Sequence, residues 1–294
     1  MTSDNIKTIG VVGAGQMGRG IAQVLAVAGW NVLLVDVTED ALEEAIRKIW
    51  QGVMRALEKG ALQGDQAGTI MALIRPVRRM EQLREAQVVI EAIPEDPVMK
   101  RELFAQLGQV CEASTLLASN TSSISIASLG MASGRADHVI GMHFMNPVSV
   151  MRLVEVVRGV ETSEHTVQMA LGLVHRLGKT PVVCKDFPGF IVNRVLMPMI
   201  NEAIFAVEDG VASAEEIDLA MVEGTNHPVG PLALADRIGL DTVLAICEVL
   251  HQDFGDPKFR PCPLLRQYVE TGWLGRKSGR GFYIYDEQPV VNVT

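Results

Sequence analysis

The chain has 294 residues, 48% of them hydrophobic and 21% charged, and carries a net charge of −9. That size allows one large or two medium globular domains with ample core, and the acidic surplus argues against nonspecific nucleic-acid binding. Cys111, Cys184, Cys247 and Cys262 show no C-x-x-C spacing, which argues against a disulfide framework or a metal site and for reduced thiols in a cytoplasmic protein.

MTSDNIK lacks the apolar core of a signal peptide, and no long uninterrupted apolar run follows it, so no membrane span is expected. Ile6 to Val12 reads as a buried strand and runs straight into GAGQMG. Gly13, Gly15 and Gly18 stand in G-x-G-x-x-G spacing, with Ala14, Gln16 and Met17 between them. The first glycine permits the tight strand-to-helix turn, the second lets backbone approach a pyrophosphate, and the third lets helix pack on strand. The following helix offers its free N–H groups to that anion. The strand NVLLV then delivers Asp36, placed to accept a ribose 2′-hydroxyl.

Thr38 can cap a helix reaching about Glu58, closed by Gly60. Leu42, Ile46, Ile49, Val53 and Leu57 recur at helical spacing and should face the core. Arg47, Lys48, Arg55 and Lys59 fall on the other faces. By residue type they are either a solvated surface or a site for an anionic ligand. A second helix, from about Asp65 to Leu73, completes a helical hairpin inserted between strands, longer than an ordinary crossover.

QVVIEAI, Gln87 to Ile93, is the next strand, followed by Glu95 and a helix bearing Lys100. Strand ends of doubly wound sheets are where ligands sit, so both side chains can meet a cofactor or simply lie on the surface. Thr115 to Ala118 is a strand ending in SNTSS, a cluster of donors that can serve a ligand or cap the helix from Ile124. His143 lies near the end of the apolar run His138 to Phe144, and Asn146 follows it. Glu155 sits inside MRLVEVV, where an acid is costly unless paired. A histidine held by a carboxylate is a ready general base, so the two residues suggest catalysis if their strands are neighbours.

A helix from about Glu164 to Leu177 leads to the strand Thr180 to Lys185, and DFPG marks the domain boundary. Beyond it the pattern is helical: one long helix from Gly189 to Gly210, a capping box at Ser213 and Glu216, a turn cluster NHPVGP, and amphipathic helices at 240–253 and 263–271. The expected fold is α/β, with a Rossmann-like domain over 1–186 carrying the helical hairpin and an all-helical domain over 187–294. The apolar long helix points to a homodimer.

Together GAGQMG, VIEAIPE, SNTSS, HFMNPV, LVEVV, DFPGFIVNR, NHPVGPLALAD and GRKSGRGFY resemble, in order and over nearly the whole chain, the L-3-hydroxyacyl-CoA dehydrogenases, including the 3-hydroxybutyryl-CoA dehydrogenases. The resemblance implies NAD as cofactor and an acyl-CoA as substrate, oxidised at its 3-hydroxyl or reduced in the reverse sense. Residue by residue it implies His143 as base, Glu155 as its partner, and Ser122 and Asn193 as hydrogen-bonders to substrate. It implies cofactor contacts from Gly13 to Gly18, Asp36, Glu95, Lys100, Ser122, Asn146 and Lys277, with the site in the cleft between the two domains. Arg47, Lys48 and Arg55 are candidates for the CoA nucleotide. Arg237 departs from the family's usual residue, outside the site. Two rival readings share the motifs: a dehydrogenase of a free hydroxy acid, and a non-catalytic NAD-binding protein.

Overall fold

The structure, a computed structural model, describes residues 6–64 and 66–285. The described residues divide into two compact units, the first ending at Phe187 and the second beginning at Pro188. The first is an α/β unit built on an eight-stranded sheet and the second is helical, the fold class expected. Asp65, the expected start of the second hairpin helix, and Asp286 at the end of the C-terminal tail lie outside the described residues.

The first unit begins β1 (Thr8–Val12), α1 (Gln16–Val27), β2 (Asn31–Val35). The hairpin is α2 (Glu39–Glu58) and α3 (Gln66–Ala72). Thr38 caps α2 by accepting from the Ala41 N–H at 3.3 Å, and Gly60 takes the left-handed conformation, φ +70°, that ends it. Leu42, Ile49 and Val53 are buried, while Ile46 and Leu57 are partly buried against the same core. A strand absent from the sequence reading follows, β3 (Ile74–Val77). It is four residues long, contains Pro76 and forms the sheet's outer edge, where proline is tolerated and apolar alternation is weak.

Next come β4 (Val88–Glu91), α4 (Pro97–Val110), β5 (Leu116–Ser119), α5 (Ile126–Ser133), β6 (Val139–Phe144), β7 (Leu153–Arg158), α6 (Glu164–Arg176) and β8 (Thr180–Lys185). The strand order is β3-β2-β1-β4-β5-β6-β7-β8. All pairings are parallel except β6 with β7. The order reverses between β1 and β4, the switch point beyond whose strand ends doubly wound sheets bind their ligands.

Side chains alternate across the strands. Ile9, Val11, Val88, Ile90, Leu116, Ala118, Ile140, Met142, Phe144, Val154 and Val156 enter one continuous core with α1, α2 and α6. By the same alternation Glu91, Ser119, His143 and Glu155 project from the opposite face. That face therefore carries a polar row along the ends of β4 to β7.

The second unit comprises α7 (Val192–Glu208), α8 (Ala214–Thr225), α9 (Pro231–Ile238), α10 (Leu240–Phe254) and α11 (Pro263–Glu270). Its core is built from Met197, Ile200, Ile204, Leu232, Val243, Leu250 and Leu265. Both bonds of the Ser213–Glu216 capping box are present. The sequence reading has no helix at α9. This helix is eight residues long, opens on Pro231 and ends at Gly239, so turn residues outweigh a two-turn period. Asn201, on the apolar face of α7, is a tie: its amide donates to the Arg260 carbonyl and accepts from the Cys262 N–H.

Candidate active site

The glycine loop has the shape of a dinucleotide cradle. Gly13 has φ +104°, and a Cβ there would meet the Ala92 carbonyl oxygen at 2.5 Å. A Cβ on Gly18 would lie 1.8 Å from the Gly13 carbonyl oxygen, so any side chain would push α1 off β1. At Gly15 nothing lies within 4 Å. Two glycines close the turn and the third leaves its outer side open, as bare backbone must be if a pyrophosphate is to approach. Asp36, at the end of β2, accepts from the Ala14 N–H at 2.8 Å and the Thr38 N–H at 3.3 Å. It is half-buried, so its carboxylate retains acceptor capacity for a ribose diol. The residues fit NAD on both counts.

Gln16 donates to the Asn146 side-chain oxygen at 3.1 Å, which ties the first residue of α1 to the loop after β6. The Asn120 side chain accepts from the Phe144 N–H at 2.9 Å, and that bond holds the end of β6 beside the loop after β5.

His143 and Glu155 are directly opposed in the antiparallel β6–β7 pair, so their side chains leave the same face. His143 Nδ1 lies 2.7 Å from Glu155 Oε2. Glu155 is fully buried and His143 nearly so. An ionised carboxylate only accepts, so in a neutral imidazole facing it Nδ1 is the donor nitrogen and Nε2 the acceptor nitrogen. On the neighbouring β8, burial, and then the charges of Glu155 and Asp186, push the Cys184 thiol up to about 12 and disfavour its thiolate.

Glu95 faces the SNTSS loop. Its Oε1 accepts from the hydroxyl of Thr121, from the N–H groups of Ser122 and Ser123 at 2.9 and 3.1 Å, and from the hydroxyls of Ser123 and Ser122 at 2.9 and 3.3 Å. This cluster does not cap α5; Ser125 does, accepting from the Ser128 N–H. Lys100 is buried, with its ammonium 2.8 Å from Glu91 Oε1 and 2.9 Å from Glu95 Oε2. The structure thus sets Lys100 between two carboxylates. Burial alone would raise the Glu95 carboxyl; Lys100, the Thr121 hydroxyl and the Ser122 N–H outweigh it and bring it to about 2. For Glu91 burial wins over the same ammonium and the carboxyl is raised.

Glu91 is a site-adjacent residue that the sequence reading did not single out. The signal was present: an acid within the apolar QVVIEAI raises the same question of a partner as Glu155 does within MRLVEVV.

On α2 the basic residues divide. Successive helical positions turn about 100°, so Lys48, Arg55 and Lys59 share a side and Arg47 does not. Arg47 is ion-paired to Glu44 and lines a groove of about 670 Å³ with Leu42, Ile46, Trp50, Met71, Pro76 and Arg78. That groove is at the β3 edge, five strands from β6, or about 24 Å from His143 at ordinary strand spacing. Lys48 lies 4.0 Å from Glu44. Asn193 and Lys277 belong to the second unit, in the first turn of α7 and beside Asp241, whose carboxylate accepts from Lys277 at 2.6 Å. No metal-holding cluster of His, Cys, Asp or Glu occurs among the described residues, and no helix there is long and apolar enough to cross a membrane.

An open glycine cradle with an acid at the end of the next strand, on the same sheet as a histidine paired with a buried carboxylate, has the layout of a nicotinamide-dependent dehydrogenase. Residues 8–187 match the family model of the 3-hydroxyacyl-CoA dehydrogenase NAD-binding domain, and residues 189–285 match that of its C-terminal domain. The chain belongs to the 3-hydroxyacyl-CoA dehydrogenase family. It is 52% identical to a probable 3-hydroxybutyryl-CoA dehydrogenase of Bacillus subtilis, over 96% of this chain and 99% of the relative. It is 48% identical to a 3-hydroxybutyryl-CoA dehydrogenase of Bradyrhizobium diazoefficiens, over 95% of this chain and 96% of that one. Among solved structures it resembles (S)-3-hydroxybutyryl-CoA dehydrogenase from Ralstonia eutropha, with a TM-score of 0.93 and 47% identity over 96% of this chain and 100% of that one. It is an NAD-dependent oxidoreductase that interconverts a 3-hydroxyacyl-CoA and its 3-ketoacyl-CoA.

Proposed function

We propose that His143 is the general base of this reaction and that the acyl group is short, as in 3-hydroxybutyryl-CoA, or a dicarboxylic equivalent. The 2.7 Å contact between His143 Nδ1 and the buried Glu155 carries the first part. His143 Nε2 takes the proton of the 3-hydroxyl, while Glu155 holds the tautomer and stabilises the imidazolium as it forms. Bound NAD would supply the acceptor for the hydride leaving C3. Ser122 and Asn193 donate to the oxygen on C3 as its bond to carbon gains double-bond character. Gly13 to Gly18 and Asp36 hold the cofactor, with Glu95, Lys100, Ser122, Asn146 and Lys277 completing its surroundings. The relatives named 3-hydroxybutyryl-CoA dehydrogenases support the short acyl group.

The protein acts in the cytoplasm as a homodimer through its C-terminal domain; α7 leaves Val195 68% exposed, an apolar surface that a second copy would cover. The CoA nucleotide meets Lys48 and Arg55 on one side of α2, with Arg47 contributing from the adjoining face. Such contacts are remote from the reacting carbon and alter KM more than kcat.

The experiment compares NADH-dependent reduction of acetoacetyl-CoA, acetoacetyl-N-acetylcysteamine and free acetoacetate, by the wild type and by Lys48→Ala with Arg55→Ala. Acetoacetyl-CoA should be reduced with by far the highest kcat/KM, and the variant should raise KM for that substrate alone. Preference for the free acid would favour the hydroxy-acid reading instead. Equal effects on both thioesters would place the nucleotide elsewhere.

A further inference from the structure

Glu91 touches no part of the proposed reaction, yet it is fully buried at the end of β4. It accepts from Lys100 Nζ at 2.8 Å, from the Ile93 N–H at 2.8 Å, and from the Ser119 hydroxyl. Sheet register sets Glu91 beside Ser119, and Ser119 beside Gly141, two residues before His143. The carboxylate therefore lies on the face that carries His143, two strands away, about 10 Å.

A buried ion pair is a poor way to stabilise a sheet. Desolvating both charges offsets their attraction, and apolar residues of equal volume hold such a place as well or better. This pair, moreover, does not stop at two members. Lys100 spans from Glu91 on the sheet to Glu95 outside it, and Glu95 turns its other oxygen to the loop over 121–123. Five donors crowd that one oxygen, Oε1. A carboxylate oxygen has two lone pairs and cannot satisfy five donors well. The longest of the five contacts, 3.3 Å, is the Ser122 hydroxyl. That hydroxyl can turn outward at least cost while the two N–H groups and the Thr121 and Ser123 hydroxyls keep the loop in place.

We propose that Glu91 is a positioning residue: through Lys100 and Glu95 it fixes the 121–123 loop so that the Ser122 hydroxyl is aimed at the substrate oxygen. This rests on the assignment of Ser122 as a hydrogen-bonder to substrate. Lys100 is the link, since its stem crosses the gap and its ammonium has donors for both acids. Displacing a positioned donor by about an ångström is costly in rate, so the relay acts on kcat more than on cofactor affinity.

The test is a double-mutant cycle on acetoacetyl-CoA reduction, with kcat, KM and the NADH dissociation constant measured alongside thermal melting. Glu91→Leu with Lys100→Met replaces the pair by apolar residues of similar volume. Because Glu91→Leu also leaves the Ile93 N–H and the Ser119 hydroxyl without their acceptor, melting below the wild type is expected, with kcat of the folded protein lower by about tenfold or more, a loss larger than any change in NADH affinity. Adding Ser122→Ala should cost no more than the larger of the two separate losses, because both act on one hydroxyl. Wild-type kcat in the paired variant, or losses that multiply, would overturn the proposal. So would a loss confined to NADH affinity, which would mark Lys100 as a direct cofactor contact and nothing more. If the paired variant does not fold, the same cycle is run with Glu91→Asp, which keeps the charge but draws Lys100 back by one methylene. A several-fold, non-multiplying loss of kcat supports the relay, and an unchanged kcat overturns it. Wild-type protein that fails to reduce acetoacetyl-CoA would refute the acyl-CoA reading itself, a result separate from any variant's.

Discussion

Glu155 and Glu91 are both fully buried, both carried by strands of one sheet and both turned to the same face. Their partners differ. Glu155 is paired with an imidazole, a group that takes and gives protons near neutral pH. Glu91 is paired with an ammonium and surrounded by donors, so its surroundings exchange nothing. In the second unit, buried acids serve a third purpose. Asp218 accepts from the Leu232 and Ala233 N–H groups at the start of α9 and from the Tyr283 hydroxyl. Asp236 accepts from the Phe282 and Tyr283 N–H groups and the Tyr285 hydroxyl. Burial of an acid thus signals that something is held, and the partner tells whether it is a proton, a loop or the chain's own backbone.

The largest expected effect separates Glu155 from the others. His143→Ala should lower kcat by about 10²–10⁴ with NADH affinity nearly unchanged, the usual worth of a positioned base. Glu155→Gln should lower kcat by a smaller factor, because a neutral amide keeps the ring in place but stabilises imidazolium less. Near-normal turnover by His143→Ala at neutral pH would remove the base from the mechanism and with it the distinction drawn for Glu155.

Asp236 should behave in the opposite way. Asp236→Ala leaves two N–H groups and a tyrosine hydroxyl without their acceptor, at a cost of about 2–4 kcal/mol in stability. The folded fraction should keep kcat within about twofold. Thermal melting and active-site titration together check this; a kcat loss without a melting loss would move Asp236 into the catalytic group.

Much of this was legible in the sequence, for identifiable reasons. The glycine spacing, the acid after β2 and the Glu155 anomaly depend on short local patterns, and the structure places His143 and Glu155 side by side across a strand pair. What the sequence hid depended on tertiary partners. Lys100 could be read as a cofactor contact or a surface base, because nothing local shows that it is buried between Glu91 and Glu95. Arg47, Lys48 and Arg55 formed one cluster along the chain, but the turn of α2 puts Arg47 toward the β3 groove. β3 itself was hidden by Pro76, and α9 by its two-turn length and turn-forming ends.

Asp36 is a partly exposed counterpart to the buried acids, accepting from the Ala14 and Thr38 N–H groups. On the proposed role a carboxylate there would accept ribose hydroxyls and repel a 2′-phosphate, and the neighbouring Val37 offers no compensating charge. Wild-type kcat/KM should favour NADH over NADPH. Asp36→Ala should narrow that preference by roughly tenfold, mainly by weakening NADH. A higher kcat/KM with NADPH in the wild type would refute the role.

The smallest effect tests Glu95 against Glu91, linked by one lysine yet shifted in opposite directions. Glu95 falls to about 2, because Lys100 and the loop donors outweigh its burial. Its ordinary value is about 4.3, so its contribution to stability is present above that pH and is lost as pH falls toward 2. Glu91 is raised by burial despite the same lysine. Its contribution runs the other way: present below about 4.3 and lost as pH rises through its raised folded value. Glu95→Gln should therefore melt below the wild type at pH 6, with the gap closing as pH drops from about 5 to 3. Glu91→Gln should show a gap that shifts in the variant's favour as pH rises over the acid range. Thermal melts at fixed ionic strength across that range read both. Parallel curves for the two variants would mean that Lys100 does not divide the acids into one ionised holder and one buried anchor, and the comparison with Glu155 would lose its second term.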